Sequence, residues 1–197
     1  AFTAAVKLDP LLELAHYGLG QVAMATKQYP EAVRAYKACL EAFQNNVAQA
    51  FSDSTVVERR IQDQVRELKD MVLVLSRGRA QTQNTGATIA RLNAQIYELE
   101  ARRNQTPGTP PRTPTWISIA LGSAYFRTGA MADAEREYRA AVDVDPRLGE
   151  GHNNLAVVLM LTGRYDEAER AVRAAEESGF QVSAQFKADL RKRKGGG

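Results

Sequence analysis

Cysteine is almost absent from this chain, since Cys39 is the only one among 197 residues. A single cysteine excludes an internal disulfide and any metal site built from several cysteines. Histidine is nearly as rare: His16 and His152 are the only two, and neither has a second histidine or a cysteine at the spacing of zinc ligands. We therefore expect neither a metal site nor a cofactor. The lone thiol gives no indication of the cellular compartment.

Long hydrophobic segments are also missing. The longest extends only from Leu155 to Leu161, whereas a helix needs about 18 apolar residues to cross a bilayer. We therefore expect no membrane span.

A strong excess of one charge is missing as well. The chain has 26 basic and 23 acidic residues, a net charge of +3. Nucleic-acid-binding domains usually carry a larger and more clustered excess, so we expect no nucleic-acid partner. The one dense cluster, Arg191 to Lys194, precedes three glycines. It is predicted to be a solvated basic tail, and a contact with a phosphate or an acidic partner is the alternative.

Motifs for catalysis are poor. Gly18-Leu19-Gly20 and Gly149-Glu150-Gly151 share only their glycines with phosphate-binding loops. The preceding strand and the Lys-Ser or Lys-Thr pair of a P-loop are missing. No nucleophile lies in a pattern that pairs it with a base. The chain is therefore predicted not to be an enzyme, with no catalytic residue.

What the chain does contain is an internal repeat with an interval of 34 residues. The recurring pairs are Leu121-Gly122 and Leu155-Ala156, Gly129 and Gly163, Ala134 and Ala168, and Ala141 and Ala175. Leu19-Gly20 lies three such intervals before Leu121-Gly122, so the same register extends to the start of the chain. Small residues in this pattern let two antiparallel helices approach closely, and glycine suits the turn between them.

This pattern resembles the tetratricopeptide repeat, in which Leu-Gly is followed by an aromatic residue, small residues, a bulky residue and proline. The best copy consists of Leu121, Gly122, Tyr125, Ala134, Tyr138, Ala141 and Pro146. The resemblance implies an all-α fold, an α-α superhelix of antiparallel helix hairpins. The predicted parts are the second half of a truncated repeat at 1–12, full repeats at 13–46, 115–148 and 149–182, a capping helix at 183–194 and a flexible tail at 195–197. Phe186 and Leu190, four residues apart, would cover the open end of the stack.

Residues 47–114 interrupt the repeats and follow a heptad pattern instead. The predicted seam consists of Val57, Ile61, Val65, Leu68, Val72 and Leu75 on one helix and Ile89, Leu92, Ile96 and Leu99 on another. We predict a long helical hairpin at 47–104, a turn at 78–86 and a proline-rich linker at 105–114. The last helix of the first repeat can continue into the hairpin, with Asn45-Asn46 the expected break. Either the apolar side chains of the seam pack against each other within the hairpin, or they pack against a second copy of the chain or a helix of a partner.

The resemblance also implies a concave groove lined by the first helix of each repeat, used for peptides or partner helices. The corresponding positions are Tyr17, Gln21, Met24, Ile119, Ser123, Phe126, Arg127, Asn153, Val157 and Met160. Met24, Phe126 and Met160 share one repeat position and form a stripe, unless they pack beneath neighbouring helices. The lysines that clamp a carboxylate in some family members are missing. We therefore expect an amphipathic helix or an apolar peptide in the groove.

The same register assigns packing positions to the two histidines and the cysteine. His16 and His152 lie four repeat intervals apart, at a place where the family usually has a large aromatic residue between helices. Cys39 falls at the small-residue position of Ala141 and Ala175. All three are predicted to be structural.

The sequence thus predicts a non-enzymatic scaffold or adaptor that gathers partner proteins through the groove, the hairpin, or both. The first alternative is a self-assembly module that forms homo-oligomers through the hairpin and the exposed repeat faces. The second is a regulatory or interaction domain of a larger protein. The sequence does not name the partner.

Overall fold

The computed structural model describes residues 2–77, 83–103 and 110–195, and every regular element in these ranges is a helix. The helices are α1 (Phe2–Leu8), α2 (Glu13–Ala25), α3 (Tyr29–Arg77), α4 (Gln83–Arg103), α5 (Thr115–Thr128), α6 (Met131–Val144), α7 (Gly149–Leu161), α8 (Tyr165–Glu177) and α9 (Ala184–Gly195). The fold is therefore an all-α superhelix, as predicted. The chain forms two compact units, here called the repeat unit (residues 1–45 and 112–197) and the hairpin unit (residues 46–111).

Helix α3 has no break at Asn45-Asn46, because it is continuous from Tyr29 to Arg77. The expected continuation is therefore correct and the expected break is wrong. Asparagine inside a helix costs only about 0.7 kcal/mol relative to alanine. The neighbouring residues, among them Leu40, Glu41, Ala42, Ala48 and Ala50, favour helix strongly enough to outweigh that cost.

Close pairs of a small and a large residue join the two helices of each repeat. A Cβ atom added at Gly20 would lie 2.3 Å from the Tyr36 ring, and one added at Gly122 would lie 2.7 Å from the Tyr138 ring. Both tyrosines are 3% exposed. In the last repeat the corresponding residues are Ala156 and Val172, both buried. A larger residue on the first helix is thus matched by a smaller one on the second, which preserves the packed volume.

A left-handed residue ends the first helix of each repeat. Gly129 has φ of 82°, and the Ala130 N–H that follows donates to the Tyr125 carbonyl oxygen at 3.0 Å. This is the usual glycine C-cap, in which a residue without a Cβ atom lets the chain reverse. In the first repeat Lys27 occupies the same position with φ of 59°, a conformation that costs an L residue about 1–2 kcal/mol.

Two core clusters run through the repeat unit. One joins α2 and α3 to α5 through Ala23, Ala32, Tyr36, Leu121 and Ala124. The repeat at the N-terminal end therefore stacks directly on the repeat that begins after residue 112, although the whole insertion separates them in sequence. The other cluster fills α6 to α9. It includes Leu190 of α9, which is 2% exposed, with Phe186 packed against it.

The hairpin unit contains α4 and most of α3. Helix α4 begins at Gln83, so residues 83–86 are helical and not part of the expected turn. Residues 78–82 of that turn lie outside the described residues, as do residue 104 of the expected hairpin and residues 105–109 of the expected linker. Residues 110–114 have no regular structure, as expected for a proline-rich segment.

The predicted seam is only partly buried. Ile61, Val65 and Ile96 form a buried cluster, and Leu68, Val72 and Leu99 pack against it. Leu92 is buried as well. Leu75 and Ile89 are half-buried. Val57 is 42% exposed and lies outside this cluster.

Candidate binding groove

The first helices of three repeats, α2, α5 and α7, contribute to one open pocket of about 510 Å³ in the repeat unit. We call it the repeat groove. Its lining residues are Tyr17, Gln21, Met24, Tyr36, Thr115, Trp116, Ile119, Ala120, Ser123, Leu148 and Glu150. Most of these side chains are apolar or aromatic, which is the usual composition of sites that bind peptides or small ligands.

An aromatic cluster forms one wall of the repeat groove. The Tyr17 and Trp116 rings meet edge to face with centroids 4.7 Å apart, and Tyr17 also lies 5.5 Å from the Tyr36 ring. Tyr17 belongs to α2 and Trp116 to α5, so this contact also holds two repeats together. Trp116 remains 36% exposed. It therefore offers apolar surface to a ligand while its position is fixed by packing.

The polar groups of the groove are few. The Ser123 hydroxyl and the Tyr138 hydroxyl lie 3.2 Å apart in a hydrogen bond. Burial raises the pKa of Tyr36 to about 12 and raises that of Tyr138 above its usual value. Both phenols are therefore neutral near pH 7. Glu150 is exposed, and it is the one lining residue with a charged side chain. A ligand thus meets an apolar surface with a single negative charge.

Half of the ten residues predicted from the repeat register line this pocket. They are Tyr17, Gln21, Met24, Ile119 and Ser123. The other five lie elsewhere. Asn153 and Val157 are half-buried and outside the pocket.

The predicted apolar stripe does not form an open surface. Met160 is 8% exposed and belongs to a core cluster, against which Phe126 also packs. Met24 packs partly against the other cluster. The expectation that Met160 is exposed is therefore wrong, because Met160 belongs to the core cluster whose residues come from α6 to α9. Met160 and Phe126 instead pack beneath neighbouring helices, which was the alternative expectation.

Arg127 contacts another repeat and not the pocket. Its guanidinium lies over the Tyr29 ring, 4.7 Å from the centroid, and also donates a hydrogen bond to the Tyr29 hydroxyl. Tyr29 begins α3, so this cation–π contact joins the first full repeat to the second. Arg127 is therefore engaged within the fold and does not line the pocket, although it remains exposed.

The repeat register missed six of the lining residues: Tyr36, Thr115, Trp116, Ala120, Leu148 and Glu150. Two of these, Trp116 and Glu150, lie 34 residues apart, so both occupy the same position, near the start of the first helix of a repeat. Leu14 is their counterpart on α2 and is 62% exposed. The family pattern marks core positions, which is why this surface position carried no signal. The only tryptophan of the chain was a signal that could have identified it.

The two histidines make one and the same contact. Nε2 of His16 donates to the Pro10 carbonyl oxygen at 2.9 Å, and Nε2 of His152 donates to the Pro146 carbonyl oxygen at 3.0 Å. Each proline lies six residues before its histidine, in the turn that enters the repeat. The side chains therefore fix equivalent turns, which is a structural role.

Cys39 is fully buried, and burial raises the pKa of its thiol to about 11. At neutral pH the thiol is protonated and therefore a poor nucleophile. Its surroundings are those of a packing residue, as its repeat position predicts.

Family comparisons agree with this architecture. Two models of the tetratricopeptide repeat match the chain, one over residues 13–46 and the other over residues 119–181. The chain belongs to the tetratricopeptide repeat family. The first match coincides with the repeat that contains α2 and the start of α3, and the second spans α5 to α8. No curated protein sequence matches the chain.

Two solved structures are similar to this tetratricopeptide repeat protein. YrrB, described as a TPR protein with an unusual peptide-binding site, is 14% identical, covers 98% of each chain and has a TM-score of 0.35. The MamA protein is 17% identical, covers 87% of this chain and 96% of its own, and has a TM-score of 0.32. At TM-scores this low, neither structure indicates a ligand for the present chain. None of the described helices is long and apolar enough to cross a membrane.

Proposed function

We propose that this tetratricopeptide repeat protein is a non-catalytic scaffold that binds a short segment of a partner protein in the repeat groove. The observation that carries the proposal is the open pocket formed by side chains of α2, α5 and α7. A pocket assembled from several repeats exists only when the repeats are stacked. It therefore couples recognition to the fold that the family uses for protein interactions.

The lining chemistry favours an apolar segment that also carries a basic residue. Met24, Ile119 and Ala120 offer aliphatic surface, and Trp116 offers a half-exposed indole. Glu150 is the charged lining residue, and a lysine or arginine of the partner would satisfy its carboxylate. An acidic peptide would meet the same carboxylate as a like charge, which disfavours binding. An amphipathic helix with one apolar and one basic face has both features.

The test begins with selection of peptides from a displayed random library on the full chain. We expect the selected peptides to contain large apolar residues near lysine or arginine. The affinity of one such peptide is then measured by fluorescence anisotropy. Trp116→Ala and Ile119→Glu should each weaken binding at least ~10-fold, because aromatic and aliphatic anchors at a pocket centre dominate binding energy. Glu150→Gln should weaken it by about threefold and reduce its dependence on salt.

Val22→Glu is the matched control, because Val22 lies beside Gln21 on α2, is 52% exposed and does not line the pocket. It should leave the affinity unchanged. Circular dichroism first establishes that each variant keeps native helicity. If the selected peptides bind the two groove variants as tightly as the original chain, the repeat groove is not the binding site.

A further inference from the structure

The hairpin unit has an open groove of its own between α3 and α4. It has a volume of about 490 Å³, and we call it the hairpin groove. Its lining residues are Gln64, Glu67, Leu68, Gln95, Glu98, Leu99 and Arg102. Leu68 and Leu99 are only half-buried at its floor. Two helices that meet along one seam leave the flanks of that seam open, and a further pair of helices can cover it.

On α3 the wall of this groove belongs to a longer stripe. Its members follow one another at intervals of three, four, three, four and three residues and are Val57, Arg60, Gln64, Glu67, Met71 and Val74. Such intervals place side chains on one face of a helix. Val57, Met71 and Val74 are 42%, 53% and 71% exposed. The stripe is thus apolar at both ends and polar in the middle.

We propose that two copies of the chain associate hairpin groove to hairpin groove, antiparallel about a two-fold axis, to form a four-helix bundle. The order of residues along the stripe supports this symmetry. The midpoint between Gln64 and Glu67 is also the midpoint between Val57 and Val74. Reversing a second copy about that point brings Val57 of one chain to the level of Val74 of the other, and Gln64 to the level of Glu67. It also brings Met71 to the level of Arg60, whose aliphatic stem can cover the methionine while the guanidinium stays in solvent. A two-fold interface requires this kind of self-complementarity.

The charges on α4 have the same symmetry. Glu98 and Arg102 are one helical turn apart, line the hairpin groove and form no ion pair within the described residues. Reversal about a point between them sets Arg102 of each copy against Glu98 of the other, so that two ion pairs form across the interface. The midpoint of the stripe on α3 and the midpoint between Glu98 and Arg102 on α4 both fall within the hairpin groove. A single two-fold axis can therefore relate both sets of residues to their counterparts in a second copy. This agreement favours a second copy over an unrelated partner helix.

The oligomeric state of the full chain tests the proposal. Sedimentation equilibrium up to about 200 µM should give twice the monomer mass, since a dimer becomes populated when the concentration exceeds its dissociation constant. Val57→Glu with Val74→Glu should raise that dissociation constant at least ~100-fold, because the new carboxylates would face one another at both apolar ends of the interface. Leu73→Glu is the control: Leu73 adjoins Val74 on the same helix and is 46% exposed, but it falls on a different face. It should change the constant less than ~3-fold.

Exchanging the charges of Glu98 and Arg102 tests the same interface independently. Glu98→Arg alone and Arg102→Glu alone should each weaken the dimer about 10-fold by placing like charges together, and the chain that carries both changes should regain most of that loss. Circular dichroism establishes that each variant is helical. A monomer at all concentrations overturns the proposal and leaves the groove for a helix of another protein. A dimer insensitive to Val57→Glu with Val74→Glu, or one that the combined charge exchange does not restore, overturns it as well.

Discussion

Gly122 and Tyr138 illustrate how single residues set the spacing of the helices in this protein. The glycine lets the tyrosine ring lie against the backbone of α5, where the ring is buried and its hydroxyl bonds to Ser123. The same pairing occurs at Gly20 and Tyr36. In the last repeat it is replaced by Ala156 and Val172, which exchanges volume between the two helices. Close packing, and not glycine flexibility, explains the small residue at this position.

Gly122→Ala should destabilise the repeat unit by about 1–3 kcal/mol, because the added methyl group would overlap a ring that has no room to move. Urea unfolding followed by circular dichroism measures the change. The same substitution in a Tyr138→Val background should cost at least about 1 kcal/mol less, because that pair reproduces Ala156 and Val172. Equal costs in both backgrounds would show that the ring contact is not what makes glycine necessary.

Cys39 makes stability depend on alkaline pH. The folded pKa of about 11 lies above the ordinary value of 9.0, so the unfolded chain loses this proton first as the pH rises. The stabilisation is fully present below pH 9 and is lost as the pH rises toward 11, by up to roughly 3 kcal/mol. Tyr36, whose pKa burial raises from 10.0 to about 12, extends the decline to higher pH.

Urea unfolding at a series of pH values between 8 and 12 measures this decline. Cys39→Ala is the control, because alanine occupies the same repeat position at Ala141 and Ala175. It should fold normally and lose stability less steeply between pH 9 and 11. A pH profile identical to that of the unmodified chain would show that the thiol does not contribute.

At the scale of elements, two helices do not follow the 34-residue repeat. Helix α3 continues past the end of its repeat as one element, from Tyr29 to Arg77. Helix α9 follows the last repeat and closes its core with Leu190, which a stack of hairpins requires because each hairpin is covered only by its neighbours. The repeat period predicts where helices recur, whereas these two elements depend on local helix propensity and on the need to cover an apolar face.

Because α9 covers the last repeat, we expect the loss of its buried Leu190 side chain to lower the free energy of unfolding substantially. Leu190→Ala should destabilise the repeat unit by about 2–4 kcal/mol, because it removes a buried side chain and leaves a cavity. Leu8→Ala is the matched control, since Leu8 is 88% exposed, and it should change stability by less than about 0.5 kcal/mol. Thermal unfolding of both variants distinguishes these outcomes. A small effect at Leu190 would mean that the last repeat is stable without α9.

At the scale of the whole molecule, the two proposed interaction surfaces belong to different compact units. The repeat groove draws its residues from residues 1–45 and 112–197, and the hairpin groove from residues 46–111. The two proposals are therefore independent. Trp116→Ala should leave the dimer intact, and Glu98→Arg should leave the intrinsic affinity for a selected peptide unchanged.

The sequence by itself determined the family, the all-α fold and the register of the repeats. These depend on spacing along the chain, and small and aromatic residues at an interval of 34 can satisfy only one register. It also identified Tyr17, Met24 and Ile119 as groove residues, because their positions follow from that register. The burial of Ile61 and Ile96 in the hairpin follows in the same way from heptad spacing.

Only the tertiary structure decided which of these positions remain open. Met160 and Phe126 share a repeat position with Met24, yet Met160 is buried in the core cluster whose residues come from α6 to α9. Trp116 enters the groove because the repeat at 13–46 stacks on the one that follows the insertion, which brings Tyr17 against it. Contacts between residues so distant in sequence depend on which faces pack together in three dimensions. The repeat pattern of each helix alone does not contain that information.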